Sequence, residues 1–488
     1  MKGKEKSIKV NAILNGFRTV LNLIFPLITF PYISRTLSVD GIGKYNFSSS
    51  IISYFLLLAA LGVDRYAVRE GTRFRDDRKK ISEFVSHVFT INMASTIISY
   101  ALLFACLFAV PKLHDYIICI LIFSVQILFT TLGTEWLYSI FEEYRYITIR
   151  SVAFKAISIV LLFAFVRKPS DYLCYAAVTV FATVGSNILN LIHSKKFCDI
   201  RLTFHFEWQK MLSPMLVMFA MNIAVQIYVN ADTTMLGFFK DDYTIGIYSL
   251  STKIYGIAKS VLSAVLTVTI PRLSMYIGKN MQEEYDQLLY KVVNVLIAFT
   301  LPVMIGLFML SRDVILIISG QNFLESINSL RILCVAIVFS IFSTVFNQCV
   351  LIPYKREKYS LYSSVTSAGL NIALNFIFIP LMAECGAAIT TVIAEFLMMT
   401  INYYSCRDVT KKIFKNRETV HNVATVVMGI VIVAIICGLL QKAISNMWSR
   451  LILSVLLSAI GYGMVLLAFK NPLAKIATQQ IEDRFSKR

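Results

Sequence analysis

Five basic residues stand inside stretches that are otherwise apolar, and they are the side chains best suited to chemistry. They are Arg18, Lys155, Lys253, Lys259 and Arg331. An ionisable residue within a membrane-spanning segment is costly and commonly marks a substrate or ion pathway. Acidic residues at comparable depth are fewer, the deepest being Asp232 and Glu395. This excess of buried positive charge favours an anionic cargo, and phosphate or pyrophosphate suits arginine and lysine best.

Arg18 belongs to a polar seam along one side of the apolar segment 9–33. The seam residues recur at steps of 4, 3, 4 and 7, which places them within roughly 60° of one another on a helix. They are Asn11, Asn15, Arg18, Asn22 and Thr29. A charge at mid-membrane costs roughly 2.5–3.5 kcal/mol. We therefore expect the seam to face a water-filled cavity.

Segment 211–238 carries a second seam of the same kind. Its members are Asn222, Gln226, Asn230 and Thr233. Such residues also form hydrogen bonds between packed membrane helices, and that explanation stays open for each residue taken singly. For the two seams as a pair we predict a cavity lining. The candidate lining residues are then Asn15, Asn22, Asn222, Gln226 and Asn230.

The basic residues have alternative roles that the sequence leaves open. Lys253 lies on a polar stripe of its segment and Lys259 at the edge of that stripe. The ammonium groups of Lys155 and Lys259 could extend to the membrane surface, and Arg18 could pair with Asp232. Asp232 itself lies off the second seam, and it is a candidate for proton or cation coupling or for an ion pair.

Residue patterns typical of enzymes are missing from the sequence. Most of the nine cysteines lie in apolar spans without CxxC spacing, the five histidines are isolated, and there is no GxxxxGK[ST] loop. We expect no catalytic site, no metal and no cofactor. Any energy for uphill transport would come from an ion gradient or from consumption of the product.

Long apolar segments must position these residues. The chain is 57% hydrophobic and only 16% charged over 488 residues, and runs of 18 or more apolar residues indicate membrane helices. We predict an all-α polytopic membrane protein with about 14 transmembrane helices. The predicted spans are 9–33, 45–64, 83–109, 116–140, 146–166, 172–193, 211–238, 245–270, 288–310, 327–352, 361–380, 385–405, 422–441 and 451–469.

The distribution of lysine and arginine predicts the orientation. With the N-terminus inside, the inner segments hold 33 of these residues and the outer loops nine, as the positive-inside rule requires. Both termini are then cytoplasmic. The net charge of +18 is explained by a basic collar against anionic membrane lipids, and not by a nucleic-acid partner.

An internal repeat divides the chain. Residues 42–49 read IGKYNFSS, and residues 245–252, 203 positions later, read IGIYSLST. We predict an N-terminal six-helix lobe (1–205), a C-terminal six-helix lobe (206–406), and two further helices with a basic tail (407–488). An even number of helices in each lobe makes the lobes parallel, related by a pseudo-twofold along the membrane normal, with binding between them.

Five segments together resemble one family. They are FPLITFPYISRTLSVDGIGKYNFSSS (25–50), LGVDRYAVRE (61–70), TEWLYSIFEEYRYITIRS (134–151), NADTTMLGFF with IGIYSLSTKIY (230–239, 245–255) and NIALNFIFIPLMAECGAAITTVIAE (371–395). In this order they resemble the multidrug/oligosaccharidyl-lipid/polysaccharide (MOP) exporter superfamily, in its polysaccharide transporter branch of Wzx-type O-antigen and capsule repeat-unit flippases.

The resemblance implies a central cavity that opens alternately to either side of a bacterial cytoplasmic membrane. The implied cargo is a polyprenyl-pyrophosphate-linked oligosaccharide, delivered to polysaccharide polymerase and chain-length machinery. Arg18 and Lys253 are then candidate partners for the phosphates, with Lys155, Lys259 and Arg331 as further candidate substrate-binding cations. The seam amides become candidate partners for sugar hydroxyls.

Three other functions remain as alternatives. An ion-coupled drug or organic-cation antiporter of the same superfamily would need an acidic cavity, whereas a lipid-II-type peptidoglycan precursor flippase is not distinguished by the loops or the tail. An integral-membrane polymerase or glycosyltransferase needs a catalytic cluster on a sizeable loop. The longest outer loop, 311–326, offers only Asp313 and Glu325.

Overall fold

A computed structural model describes residues 25–26, 28–203 and 208–474, and the regular structure of these residues is entirely helical. The helices are α1 (28–36), α2 (Val39–Ala60), α3 (Val63–Gly71), α4 (Arg78–Ala109), α5 (Ile117–Gly133), α6 (Glu135–Ile140), α7 (Tyr144–Phe165), α8 (Tyr172–Val184), α9 (Asn187–Ser194), α10 (Trp208–Phe239), α11 (Asp242–Gly278), α12 (Gln282–Ser319), α13 (Ser326–Thr344), α14 (Glu357–Ser405), α15 (Arg407–Lys415), α16 (Arg417–Ala443) and α17 (Met447–Ala468). Short 3₁₀ turns lie at Pro111–Tyr116 and Gln321–Phe323, and a π-helical turn, Val345–Leu351, extends α13.

Within the described ranges, twelve helical segments are long and apolar enough to cross a membrane. The predicted class, an all-α polytopic membrane protein, is confirmed. The count differs from fourteen for two reasons. Helix α14 contains two predicted spans, 361–380 and 385–405, joined through a bend at Ala383 (φ 52°, ψ −128°). The first predicted span, 9–33, lies mostly outside the described residues.

Some predicted spans are broken where the backbone leaves the right-handed helical region. Leu61 (φ 44°) follows the last residue of α2, and Gly62 (φ 73°) precedes α3. Thr134 (φ 39°) likewise separates α5 from α6. A left-handed residue satisfies the last carbonyls of one helix and redirects the next. The hydropathy pattern alone gives no indication of these breaks.

The chain forms two compact units, of which the first ends at Gly246 and the second begins at Ile247. In the first unit α2 packs against α4, α5 and α10. Thr234 of α10 donates to Ser50 Oγ at 3.2 Å and lies 3.0 Å from the Tyr54 hydroxyl, so hydroxyl groups connect α10 to α2.

Glycines of the sequence repeat lie where the start of α2 meets the start of α11 in the first unit. A Cβ atom on Gly43 would lie 1.9 Å from the Asp242 carbonyl oxygen, and one on Gly246 would lie 2.2 Å from the Val39 oxygen. Residues 39 and 43 correspond to 242 and 246 through the 203-residue repeat. The contact is therefore reciprocal, and it requires glycine because two backbones touch.

The chain between α9 and α10 is attached to α4 by a regular series of hydrogen bonds. Backbone N–H groups of alternate residues donate at 3.0–3.1 Å to hydroxyls one helical turn apart: Asp199 to Ser82, Arg201 to Ser86 and Thr203 to Thr90. Two extended residues cover about 6.6 Å and four helical residues about 6 Å, so the two spacings nearly match. The attachment is local to the first unit.

The core of the second unit is built from α11, α12, α13 and the start of α16, with fully buried Leu289, Val293, Ile341 and Val426 among its members. An ion pair fixes α17 to α12: the Arg450 guanidinium donates to both carboxylate oxygens of Asp313, a residue only 2% exposed. Packing and this pair together explain why the last two helices belong to the second unit.

A second arginine joins α14 to α15. Arg356 donates through both terminal nitrogens to Asp408, at 2.8 and 2.7 Å, and this holds the pKa of the Asp408 carboxyl below its ordinary value. Because the carboxylate is half exposed, solvent screening limits the contribution of this ion pair to the free energy of unfolding to about 0–1 kcal/mol.

We expect Asp408→Asn to lower the unfolding temperature slightly near neutral pH. A lowered carboxyl pKa stabilises the fold above the ordinary value of about 3.9 and ceases to do so as the pH falls through the folded-state value. The difference between parent and variant should therefore shrink toward about pH 3. Thermal unfolding in detergent at both pH values measures it, and a difference that grows on acidification would contradict the assignment.

Candidate functional site

The predicted site residues of the described part lie on four helices. Lys155 is on α7, Arg331 on α13, and Lys253 and Lys259 are on α11, while α10 carries the second seam and Asp232. Asn15, Arg18 and Asn22 lie outside the described residues. Their predicted roles consequently remain predictions from the sequence.

The α10 seam is intermediate in exposure. Asn222, Gln226 and Asn230 are each half-buried, whereas Asp232 is 9% exposed. Asn230 Nδ2 donates to the Gln226 carbonyl at 3.0 Å, one turn back along the same helix. These side chains are therefore only partly buried. The hydrogen bond between Asn230 and Gln226 stays within α10 and does not join it to another helix.

Lys259 is held by a buried glutamate in the second unit. Its Nζ lies 3.4 Å from Glu395 Oε1, and the same oxygen accepts from the Tyr255 hydroxyl at 3.2 Å and from Ser340 Oγ at 3.0 Å. The Glu395 side chain is 5% exposed, whereas Lys259 remains 35% exposed. The structure thus gives Lys259 an ion pair, while the sequence had left extension to the membrane surface open.

Three helices contribute to this cluster. Tyr255 and Lys259 are four residues apart on one face of α11, Ser340 comes from α13, and Glu395 lies after the bend of α14. The sequence identified Glu395 as an acid within a span but did not assign it to Lys259.

Lys253 lies on another side of the same helix. It is six residues before Lys259, which is roughly 120° around the helix axis, and its side chain is exposed. Helix α11 therefore presents two cations in different directions, one held by Glu395 and one with greater exposure.

The two remaining basic candidates lie against aromatic rings. The Lys155 ammonium is 5.7 Å from the centre of the Phe25 ring, and the Arg331 guanidinium is 5.4 Å from that of Phe308. Arg331 also donates to Ser311 Oγ at 3.0 Å. A ring contact of this kind attracts the cation and does not itself neutralise its charge.

Other polar residues of the apolar helices have a structural role. Asn371, Asn375 and Thr390, each at most 1% exposed, bond to one another between the two parts of α14. Asn422 similarly donates to Asn294 Oδ1 at 2.8 Å, joining α16 to α12. For these asparagines the hydrogen-bonding explanation holds.

The chain matches known families along most of its length. A model described as Polysaccharide biosynthesis protein covers residues 8–277, and a MatE model covers residues 218–377. A proposed O-antigen transporter of Escherichia coli K12 is 22% identical over 408 residues, 82% of this chain and 97% of that protein. Capsular polysaccharide biosynthesis protein CapF of Staphylococcus aureus is 19% identical, over 79% of this chain and 96% of that one.

Solved structures show the same fold. The lipid II flippase MurJ in an inward closed conformation aligns with a TM-score of 0.73 at 18% identity, covering 94% of this chain and 99% of that chain. An inward-facing multidrug resistance MATE family transporter of the MOP superfamily aligns at 0.59 and 14% identity, covering 81% and 99%. The chain therefore belongs to the polysaccharide biosynthesis protein family, in the polysaccharide transporter branch of the MOP superfamily, and is a multi-pass membrane transporter.

Proposed function

We propose that this protein is a flippase for oligosaccharide repeat units linked to polyprenyl pyrophosphate. It would move them from the cytoplasmic to the outer leaflet of a bacterial cytoplasmic membrane, for cell-surface polysaccharide synthesis. The observation that carries the proposal is the excess of basic over acidic side chains within the apolar helices of a chain from this family. The names of the relatives, an O-antigen transporter and a capsule protein, support the same class of cargo.

The sign of the charge supports this cargo over an organic cation. The basic candidates on the described helices, Lys155, Lys253, Lys259 and Arg331, outnumber the acids Asp232 and Glu395. Glu395, which is buried in the second unit, is already paired with Lys259. A pyrophosphate gains from several cations, since each charge-assisted hydrogen bond contributes about 1.5–3 kcal/mol. A cationic drug would meet repulsion from the same groups.

In the proposed cycle the polyprenyl chain stays in the bilayer while the pyrophosphate and sugars enter a cavity between an N-terminal lobe (1–205) and a C-terminal lobe (206–406). Arg18 and Lys253 hold the phosphates, and the seam amides bind sugar hydroxyls. Rocking of the lobes then exposes the cavity to the other side. Asp232, buried on α10, is the proposed coupling residue for a proton or cation, and both termini are cytoplasmic.

The test is a flipping assay in sealed vesicles that contain lipid-linked oligosaccharide. The fraction of cargo accessible on the far leaflet is followed over time for the parent, for Arg18→Ala and for Arg407→Ala. Arg407, exposed on α15, is the matched control. We expect flipping by the parent and the control, and a loss of about tenfold or more in Arg18→Ala at limiting cargo.

Two outcomes would contradict the proposal at different levels. Equal flipping by all three proteins would retain the function and remove Arg18 from the site. If a folded parent shows no flipping, with or without ion gradients, the flippase assignment is rejected and the antiporter alternative is favoured. Where the parent does flip the cargo, an assay of Asp232→Asn under an imposed proton gradient separates coupled from uncoupled transport.

A further inference from the structure

A cavity of about 620 Å³ lies in the second unit, at the end where α12 and α16 begin and α17 terminates. Its basic lining residues come from three elements: Lys291 from α12, Arg417 from α16 and Lys470 from the segment after α17. No cargo-binding candidate lines this cavity. It is a separate feature of the molecule.

The three cations are exposed and uncommitted. Lys291, Arg417 and Lys470 each have an exposed side chain, and within the described part of the chain none of them forms an ion pair or a side-chain hydrogen bond. The acid in the wall, Glu418, accepts a hydrogen bond from the Tyr290 hydroxyl at 2.7 Å. With three cations against one carboxylate, the cavity carries an excess of positive charge.

The rest of the wall is fixed. Asn294 is fully buried and donates to Thr419 at 3.2 Å, and His421 donates through Nε2 to the Phe469 carbonyl at 2.9 Å. The Asn294–Thr419 bond is buried and connects α12 to α16, and the His421–Phe469 bond, which is exposed, connects α16 to the end of α17. The basic side chains therefore project from elements that hydrogen bonds hold to one another, which favours selective binding over a loose surface attraction.

Apolar groups form part of the same cavity. Phe469 is 49% exposed, and Pro472 and Leu473 are half-buried beside it. Arg417 is the first residue of α16, which becomes apolar within its next turn, and Lys470 directly follows the apolar helix α17. The cavity thus lies at the polar–apolar boundary of membrane helices. A ligand with a phosphate beside an apolar portion fits it better than a free phosphate ion.

We infer that this cavity binds the phosphodiester headgroup of an anionic phospholipid of the leaflet it faces. That leaflet is the inner one under the orientation predicted from lysine and arginine. Basic groups near an anionic bilayer surface attract such lipids, and a cavity between hydrogen-bonded helices adds a defined position for the headgroup. The inference concerns a lipid that remains with the protein and is independent of which cargo is moved.

Phosphatidylglycerol binding to the purified full-length chain, measured by native mass spectrometry, tests the inference. The cavity variant combines Lys291→Gln, Arg417→Gln and Lys470→Gln. The matched control combines Lys411→Gln, Lys412→Gln and Lys415→Gln, which removes the same charge from exposed positions on α15. We expect the cavity variant to bind at least about tenfold more weakly and the control to change by less than about threefold.

Two results would overturn the inference. An equal loss in both variants would show a diffuse surface attraction, and displacement of the lipid by inorganic phosphate or pyrophosphate at similar concentrations would show a site for free anions. A Phe469→Trp variant, which keeps all three cations, supplies a second test if the cavity variant fails to fold. Its fluorescence should be quenched more by brominated phosphatidylglycerol than by brominated phosphatidylcholine, and equal quenching would also reject the site.

Discussion

Lys259→Gln and Glu395→Gln should change the affinity for cargo in opposite directions. Lys259 is about one-third exposed while its partner is buried, with their charged atoms 3.4 Å apart. If the exposed part of Lys259 contacts the cargo pyrophosphate, its removal should raise the cargo concentration for half-maximal flipping about tenfold, the effect of one lost charge-assisted bond.

Glu395→Gln should lower that concentration several-fold and also slow the maximal rate. The amide keeps the shape of the side chain and its bonding capacity toward Tyr255 and Ser340, but it no longer neutralises Lys259. An anion then binds more tightly to the uncompensated ammonium. Tighter binding lowers the free energy of the cargo-bound state before translocation. Because the transition state of translocation is not stabilised equally, the maximal rate falls. Glu395 is in this interpretation a positioning residue.

The opposite changes in the cargo concentration for half-maximal flipping distinguish a role in cargo binding from a purely structural role of the Lys259–Glu395 pair. If the pair only holds α11 to α14, both variants should lose folded protein and should shift the half-maximal concentration together, and the double variant should resemble the single ones. Lys411→Gln on exposed α15 is the control for a change in net charge, and it should leave both kinetic quantities unchanged. Detergent thermal stability of each variant is measured alongside.

The Lys259–Glu395 ion pair is also an example of a contact that the sequence does not predict. The length and spacing of the apolar runs were enough to predict the membrane helices, including the two spans that α14 joins, because burial in lipid depends on local composition. The pairing of Lys259 with Glu395 joins residues 136 apart in the chain, and nothing local specifies it. The Asn371–Asn375–Thr390 cluster shows the same limit, since its hydrogen bonds join residues on either side of the bend at Ala383.

The internal repeat predicted more than the positions of helices, because it identified two segments of the chain as equivalent. IGKY and IGIY were recognised as equivalent, but their glycines had no assigned purpose. In the structure each lies against the backbone of the other copy: Gly43 against Asp242, and Gly246 against Val39. Both copies of the repeat therefore take part in one contact, and glycine is the residue that permits it.

Gly43→Ala should destabilise the protein by about 2 kcal/mol or more, because the added methyl group would overlap a backbone oxygen that cannot turn aside as a side chain does. The Gly256→Ala variant is the control on α11, where a Cβ meets nothing within 4 Å. It should be neutral or stabilising by up to about 1 kcal/mol, since alanine favours the helix. Unfolding temperature and folded yield in detergent measure both, and equal stability of the two variants would contradict the close crossing.

The reciprocal geometry makes a sharper prediction for Gly246→Ala and for the double variant. A Cβ at 246 overlaps Val39 by nearly as much as one at 43 overlaps Asp242, with separations of 2.2 and 1.9 Å, so the single variants should lose similar stability. Either methyl group forces the same two helix starts apart. Once they are separated, the second methyl group meets less resistance, and the double variant should lose clearly less than the sum of the two. Independent, additive losses would mean that the two glycines serve separate contacts.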